Sequence, residues 1–183
     1  MGSMSTLIPA FLTPLGRAWL LGFELRSTLA PEAVFAAAAT PEALSTWFPC
    51  HVSGSFTAGG ELSFRFEGAS REEDLVLPGT LVSLDAIDGG AVPDRWAIDW
   101  AGDLLTLAVS DAPGGGSLAR VSARIDQLGR AARDAAGWHV CVAALARELG
   151  DPAAPGDAEW EPLFASYAQA FGPDAATELP PGR

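Results

Sequence analysis

The residue types that could form a nucleophile with its base occur together at one place in this sequence. Cys50 is followed directly by His51, the pair found in thiol nucleophiles. Adjacent side chains of an extended chain point in opposite directions, so these two are not expected to converge. The other histidine, His139, falls on a predicted helix about 100° away from the apolar stripe of that helix. It is therefore expected at the surface.

Carboxylates are the other candidates for acid–base chemistry. Asp99 lies between Ile98 and Trp100 in an alternating segment, so it faces the interior only if the alternation is inverted. The same alternation places the ionisable residues of the predicted strands on the outward face: Glu24, Arg26, Glu61, Arg65, Glu67, Arg95, Asp99, Arg120 and Arg124. We therefore predict no catalytic residue, although the pattern leaves open whether the protein is an enzyme.

Metal and phosphate sites are not indicated. The two cysteines, Cys50 and Cys141, belong to no CxxC-type pair, and only two histidines are present. The run Gly114-Gly115-Gly116 joins two predicted strands with no helix behind it, so it is interpreted as a turn rather than a phosphate-binding loop. We predict no metal and no cofactor.

Composition limits the possible partners. The 183 residues include 11 basic residues, all of them arginine, against 23 acidic ones, which gives a net charge of −12. Such a chain repels phosphate, so we expect neither nucleic acid nor an anionic membrane as a partner. No apolar run approaches the ~20 residues that cross a membrane, and a cytoplasmic location is expected. The arginine-rich, lysine-free composition is typical of a GC-rich bacterial genome.

The elements that must position these residues follow one another clearly. Residues 18–29 alternate as a half-buried strand, and Pro31 and Thr40-Pro41 begin two short helices, over 31–39 and 41–48. Residues 51–125 contain six or so short strands separated by glycine-rich turns, which is typical of an antiparallel meander. Within them, residues 75–87 are interpreted as one or two strand segments broken at Pro78-Gly79. A long helix is predicted over about 131–149, and a last helix over about 158–171. The fold class is therefore α+β.

The chain is expected to form one domain over residues 17–150. Residues 1–16 are interpreted as the remnant of an expression tag before Met4, followed by an N-terminal arm. Residues 151–183 are interpreted as a linker, a C-terminal helix and a tail. Because Trp160, Phe164 and Phe171 are too apolar for an exposed tail, we expect that helix to dock on the domain or across a homodimer interface.

The order of elements resembles a known superfamily. The motifs that carry the resemblance are Pro31–Phe35, Thr40–Leu44 with Trp47-Phe48, Gly59-Gly60, Trp96–Trp100, the Gly-Gly-Ser turn at 115–117, and Gly137-Trp138 with Leu145. Over about residues 17–149 the chain is similar to the helix-grip superfamily of START domains, Bet v 1 allergens and polyketide cyclases (SRPBCC). It resembles most the branch named after the activator of Hsp90 ATPase. A Pro-Pro pair common in that branch is missing before the strand at 81–87.

The resemblance implies a curved antiparallel sheet wrapped around the long helix, with a ligand cavity between them. The residues predicted to line it are Phe64, Phe66, Trp96, Ile98, Trp100, Val121, Trp138, Val142 and Leu145. Aromatic walls suit flat, apolar ligands, although the same residues could simply fill a core.

Three functions remain open. Binding of a hydrophobic, aromatic or polyketide-like small molecule comes first, because no ionisable group is expected to face the cavity. The resemblance extends this to natural-product biosynthesis, transport or self-resistance, as in members that bind enediyne antibiotics. A cyclase- or hydratase-like enzyme acting on a polyketide would need an inward acid–base pair. A co-chaperone comes last, since this acidic chain lacks the basic surfaces of that branch.

Overall fold

The computed structural model describes residues 6–87, 89, 92–150 and 159–179. The strands are β1 (Thr6–Leu15), β2 (Ala18–Ser27), β3 (His51–Gly54), β4 (Glu61–Phe66), β5 (Leu75–Asp85), β6 (Arg95–Trp100), β7 (Asp103–Asp111) and β8 (Ser117–Ile125). The helices are α1 (Pro31–Ala36), α2 (Pro41–Trp47), α3 (Ala131–Glu148) and α4 (Trp160–Phe171). Short 3₁₀ turns cover Arg71–Glu73, Leu128–Arg130 and Pro173–Ala176.

The strands form one open antiparallel sheet in the order β1-β2-β8-β7-β6-β5-β4-β3. Strand β2 crosses to pair with β8, which brings the start of the chain beside the last strand. On the outward face of this pair, Arg120 Nε donates to Glu24 Oε1 at 2.8 Å. The alternation of outward charge and inward apolar residues therefore has the predicted direction.

Local chemistry sets the ends of the short helices as the sequence predicts. Thr40 Oγ1 accepts a hydrogen bond from the Ala43 amide at 3.1 Å and caps α2. Phe48 is extended (ψ 154°) because Pro49 follows it, and this ends the helix. Helix α1 is shorter than predicted and stops at Ala36, with no side chain capping its N-terminus.

Helix α3 packs its apolar stripe against one face of the sheet. Val142 and Leu145 of this helix are completely buried, as are Phe64 and Ile98 of the sheet. The helix also contacts α2 and α4. The predicted α+β helix-grip arrangement, with the long helix held against an antiparallel sheet, is confirmed. No helix within the described ranges is both long and apolar enough to cross a bilayer.

Two strand predictions need correction. The stretch interpreted as an N-terminal arm forms β1, whose two prolines, Pro9 and Pro14, hide the strand pattern but are tolerated at a sheet edge. The break predicted at Pro78-Gly79 does not occur: β5 runs through it, with Pro78 opposite Ser63 and Gly79 opposite Trp100. A Cβ at Gly79 would lie 2.6 Å from the Phe64 ring and 2.8 Å from the Asp99 carbonyl oxygen, so only glycine fits.

The C-terminal helix docks as predicted. Tyr167 is buried between α4 and the domain, and Trp160, Phe164 and Phe171 pack against the core. The chain after α4 is also held, because the Glu178 amide donates to the Gly129 carbonyl at 3.0 Å. The linker predicted at 151–157 lies outside the described residues.

Candidate ligand-binding cavity

A cavity of about 550 Å³ opens beside the first half of α3. Its walls come from the α2–β3 connection, β5, the β6–β7 turn, the start of α3 and the first residue of α4. The lining residues are Pro49, Leu77, Trp100, Ala101, Asp103, Arg130, Arg133, Asp134, Gly137, Trp138, Val140, Cys141 and Trp160. Ligand sites commonly have volumes of about 300–1,000 Å³, so this open cavity has room for a drug-sized molecule.

Three indole rings line this cavity. Trp100 and Trp138 meet edge to face, with ring centroids 5.6 Å apart and an interplanar angle of 77°. Behind them, Phe66 stacks on Trp100 at 6.1 Å and 8°. Trp160 of α4 stacks on Phe164 at 5.0 Å and 9°. The sheet, the long helix and the C-terminal helix therefore each supply one aromatic wall.

A tight turn fixes the sheet side of the cavity. Trp100 ends β6 and Asp103 begins β7, and the two residues pair directly across the hairpin. The two residues between them, Ala101 and Gly102, both have positive φ, 53° and 93°. This is the backbone conformation that joins strands in two residues. The turn therefore places an indole and a carboxylate side by side on the cavity wall.

The charged side of the cavity is a network of ion pairs. Arg130 pairs with Asp103 and, at 3.2 Å, with Asp134 one helical turn later. Arg133 Nε donates to Asp134 Oδ1 at 2.9 Å, and its Nη1 lies 3.8 Å from Glu178. Burial raises the pKa of the Asp134 carboxyl above its ordinary value, although both arginines oppose the shift.

Two of the nine residues predicted to bind a ligand, Trp100 and Trp138, line this cavity. Trp96 and Val121 line, with Trp138, an interior void of only about 10 Å³, room for about one water molecule. Phe66 borders a separate surface groove near His51. Phe64, Ile98, Val142 and Leu145 are completely buried in the core. The open space thus lies at the end of the sheet–helix interface rather than along it.

The expectation of no ionisable group at the site is wrong for this cavity. Sequence reasoning considered strand faces and missed Asp103, Arg130, Arg133 and Asp134, which come from a turn and from the start of a helix. The spacing Arg130 to Asp134, one helical turn, was the signal available for an ion pair. The apolar character of Trp160 predicts that the C-terminal helix docks, but the sequence does not indicate that this side chain borders a ligand site.

The other chemical candidates lie away from the cavity or are inert. Asp99 is exposed, as the alternation predicts, and Cys50 is buried while the adjacent His51 is exposed. Desolvation raises the pKa of Cys50 to about 11 and that of Cys141 to about 12. These thiols therefore remain protonated and are poor nucleophiles.

His139 departs from the expected surface position. It is half-buried, and its Nδ1 lies 2.7 Å from the Tyr167 hydroxyl, which accepts from the Ala10 amide at 3.0 Å. Burial lowers the pKa of His139. This chain of hydrogen bonds connects β1, α3 and α4, so the histidine has a structural position outside the cavity lining.

Comparison with known proteins places the fold. No family model matches the chain, and no curated protein matches it. The crystal structure of CalU16 from Micromonospora echinospora matches with a TM-score of 0.62 at 16% identity, covering 93% of this chain and 96% of that one. EF2215 from Enterococcus faecalis, a conserved protein of unknown function, gives 0.66 at 13% identity, covering 88% and 90%.

A third match is the solution structure of the protein encoded by BPP1335 from Bordetella parapertussis. Its TM-score is 0.58 at 22% identity, and it covers 93% of this chain and 94% of that one. In all three the match extends over nearly the whole of both chains, which includes the sheet and the long helix. The chain therefore has the helix-grip fold of these solved structures.

Proposed function

We propose that this protein binds a hydrophobic, aromatic or polyketide-like small molecule in the cavity beside α3. The observation that carries the proposal is the convergence of Trp100, Trp138 and Trp160 on one cavity of about 550 Å³. These indoles are only partly buried, so apolar surface stays open on three different elements, and such a patch is costly unless something covers it. A flat apolar ligand would do so.

The energetics are adequate for useful affinity. Burial of about 400 Å² of apolar ligand surface contributes about 10 kcal/mol, and each favourable aromatic pair adds about 0.5–1.5 kcal/mol. Micromolar affinity requires about −8 kcal/mol. The gain from burial and aromatic contacts exceeds this requirement, and the excess can offset part of the free-energy cost of the entropy lost on association.

The biological setting belongs to the same proposal. We propose that the chain belongs to the START/Bet v 1-like superfamily (SRPBCC), near the branch of the activator of Hsp90 ATPase, and that it acts in natural-product biosynthesis, transport or self-resistance in a bacterial cytoplasm. Its support is the motif order in the sequence together with the fold shared with CalU16. A homodimer is compatible with this function, and neither nucleic acid nor a membrane is proposed as a partner.

The first prediction tests the cavity directly. Replacement Trp100→Ala removes one aromatic wall, so the affinity for a polycyclic aromatic probe such as anthracene-9-methanol should fall at least tenfold. Isothermal titration calorimetry measures this without relying on indole emission. In the wild type, the same probe should also quench tryptophan fluorescence.

Trp19→Ala is the matched control, because Trp19 is a partly buried indole on β2, apart from the residues that line the cavity. It should leave the affinity within about twofold. Equal losses in the two variants, or no binding by the wild type, would contradict the proposal.

A second candidate function follows from Asp134. A cavity carboxyl whose pKa is raised by burial has the property that acid–base catalysis requires. If the protein is a cyclase- or hydratase-like enzyme, many equivalents of a bound polyketide should be converted, and Asp134→Asn should abolish turnover without abolishing binding. Under the binding proposal, mass spectrometry finds the ligand unchanged.

A further inference from the structure

The charges beside the cavity are unequal in number. Two guanidinium groups, those of Arg130 and Arg133, face three carboxylates, those of Asp103, Asp134 and Glu178. Among the residues that the structure describes, this network sums to one negative charge, in a chain whose overall charge is −12. The net charge of this network therefore has the same sign as the net charge of the whole chain.

Both cations are already engaged. Arg130 contacts two carboxylates, and Arg133 contacts Asp134 and Glu178. An anionic ligand would have to replace one of these partners, which would leave a carboxylate unpaired in a partly buried site. The presence of two arginines does not make this cavity an anion site.

The aromatic and acidic groups favour the opposite charge. Trp100, Trp138 and Trp160 border the same space as Asp103 and Asp134, and an indole attracts a cation that lies over its face through the ring quadrupole. Asp134 Oδ2 is buried and, within the described residues, accepts no hydrogen bond, although it lies 3.2 Å from Arg130 Nη1. The raised pKa of Asp134 agrees with a carboxylate whose charge is incompletely solvated.

We infer that the ligand of this cavity is an apolar, ring-containing compound with a protonated amine, and that the cavity discriminates against carboxylates of the same shape. The rings pack among the indoles, and the ammonium group lies toward Asp103 and Asp134. This inference rests on the proposed binding function and adds the charge class of the ligand.

Three probes with one scaffold test the inference: 9-(aminomethyl)anthracene, anthracene-9-methanol and anthracene-9-carboxylate. Calorimetry at pH 7 and low ionic strength should give at least tenfold tighter binding of the amine than of the carboxylate, with the alcohol between them. Raising the salt concentration should reduce the difference, because it screens the partly exposed charges.

The variant Asp134→Asn tests whether the preference for the amine over the carboxylate arises in this cavity. It removes the buried carboxylate and leaves each arginine with one acidic partner instead of two, so the ratio of amine to carboxylate affinity should fall at least fivefold. Asp111→Asn is the matched control, since Asp111 is exposed at the opposite end of β7 and its loss changes the overall charge equally. If Asp134→Asn does not fold, Asp103→Asn takes its place.

The outcomes separate the two proposals. If all three probes bind and the carboxylate binds as tightly as the amine, the inference on charge is wrong and the binding function stands. If none of the three binds, both fail. If Asp111→Asn changes the ratio as much as Asp134→Asn does, the preference comes from overall charge and its assignment to this cavity is wrong.

Discussion

The two cysteines show how burial decides residue chemistry. Cys50 and Cys141 have pKa values raised to about 11 and about 12 because their thiolates would be poorly solvated. We expect the folded protein to resist alkylation by iodoacetamide at pH 8, whereas the urea-unfolded chain should react with two equivalents. Mass spectrometry after timed quenching measures both. Rapid alkylation of either cysteine in the native protein would show that its thiol is not buried as described.

His139 should make stability depend on pH. Because burial lowers its pKa in the folded state below the ordinary value of about 6.5, the unfolded chain binds more protons as the pH falls through that range. The neutral histidine therefore makes its full contribution to the free energy of unfolding above about pH 6.5, and this contribution is lost as the pH falls below that value.

The comparison of urea midpoints at pH 7.5 and 5.5 measures this effect. The wild type should lose more stability than His139→Gln, which cannot titrate. The groups that face this ring are Phe23 of β2 and the hydroxyl of Tyr167, and neither changes charge between these pH values. Equal losses of stability in the two proteins would show that His139 does not cause the pH dependence.

One hydroxyl group of helix α4 connects this helix to two other elements. The Tyr167 hydroxyl accepts from the Ala10 amide of β1 and contacts His139 of α3. Tyr167→Phe keeps the ring but leaves both partners without this bond, so we expect the free energy of unfolding to fall by about 1–3 kcal/mol. Urea denaturation measures the change.

Ser55→Ala provides the comparison for this substitution. It removes an exposed hydroxyl that contacts Thr57 at 2.9 Å, and surface changes of this kind are expected to alter stability by less than about 0.5 kcal/mol. Equal effects of Tyr167→Phe and Ser55→Ala would show that the connection between the three elements contributes little.

Individual elements were predictable where one strand face is buried. Phe64 lies between Ser63 and Arg65, and Trp96 alternates with Arg95 and Ala97; the structure buries both aromatic residues as the pattern predicts. Strand β1 was missed because Pro9 and Pro14 resemble loop signals, and its place at the edge, which permits them, depends on pairing with β2. The periodicity of apolar residues indicates which face of a strand is buried. It does not show which strands pair, and that pairing is what makes the two prolines acceptable in β1.

The cavity was less predictable than the fold because it forms where different elements end. Trp100 belongs to a strand pattern, but Asp103, Asp134 and Trp160 become its neighbours only after the β6–β7 turn, α3 and α4 are placed together. Their separation along the chain leaves no local pattern. The sequence motifs indicated a helix-grip fold with an aromatic interior, whereas the packing decides which aromatic residues border open space.

At the scale of the whole molecule, the C-terminal helix is part of the folded domain. Truncation after Gly150 removes α4 and the contact between Glu178 and Gly129, and it uncovers the apolar surface under Tyr167. We expect a lower melting temperature or aggregation of the truncated chain, measured by thermal denaturation with light scattering. A melting curve and solubility equal to those of the full chain would contradict this role.

The hydrogen bond between Ala10 and Tyr167 joins residues 157 positions apart, and this separation affects the order of folding during synthesis. Chains are made from the N-terminus at about 5–20 residues per second, so roughly 8–30 s pass between the two residues. During that interval β1 can pair with β2, but the Ala10 amide cannot yet donate its hydrogen bond to the Tyr167 hydroxyl. Contacts of such long range form late and slow folding. A nascent chain should therefore reach full protection of β1 from proteases only after α4 has emerged.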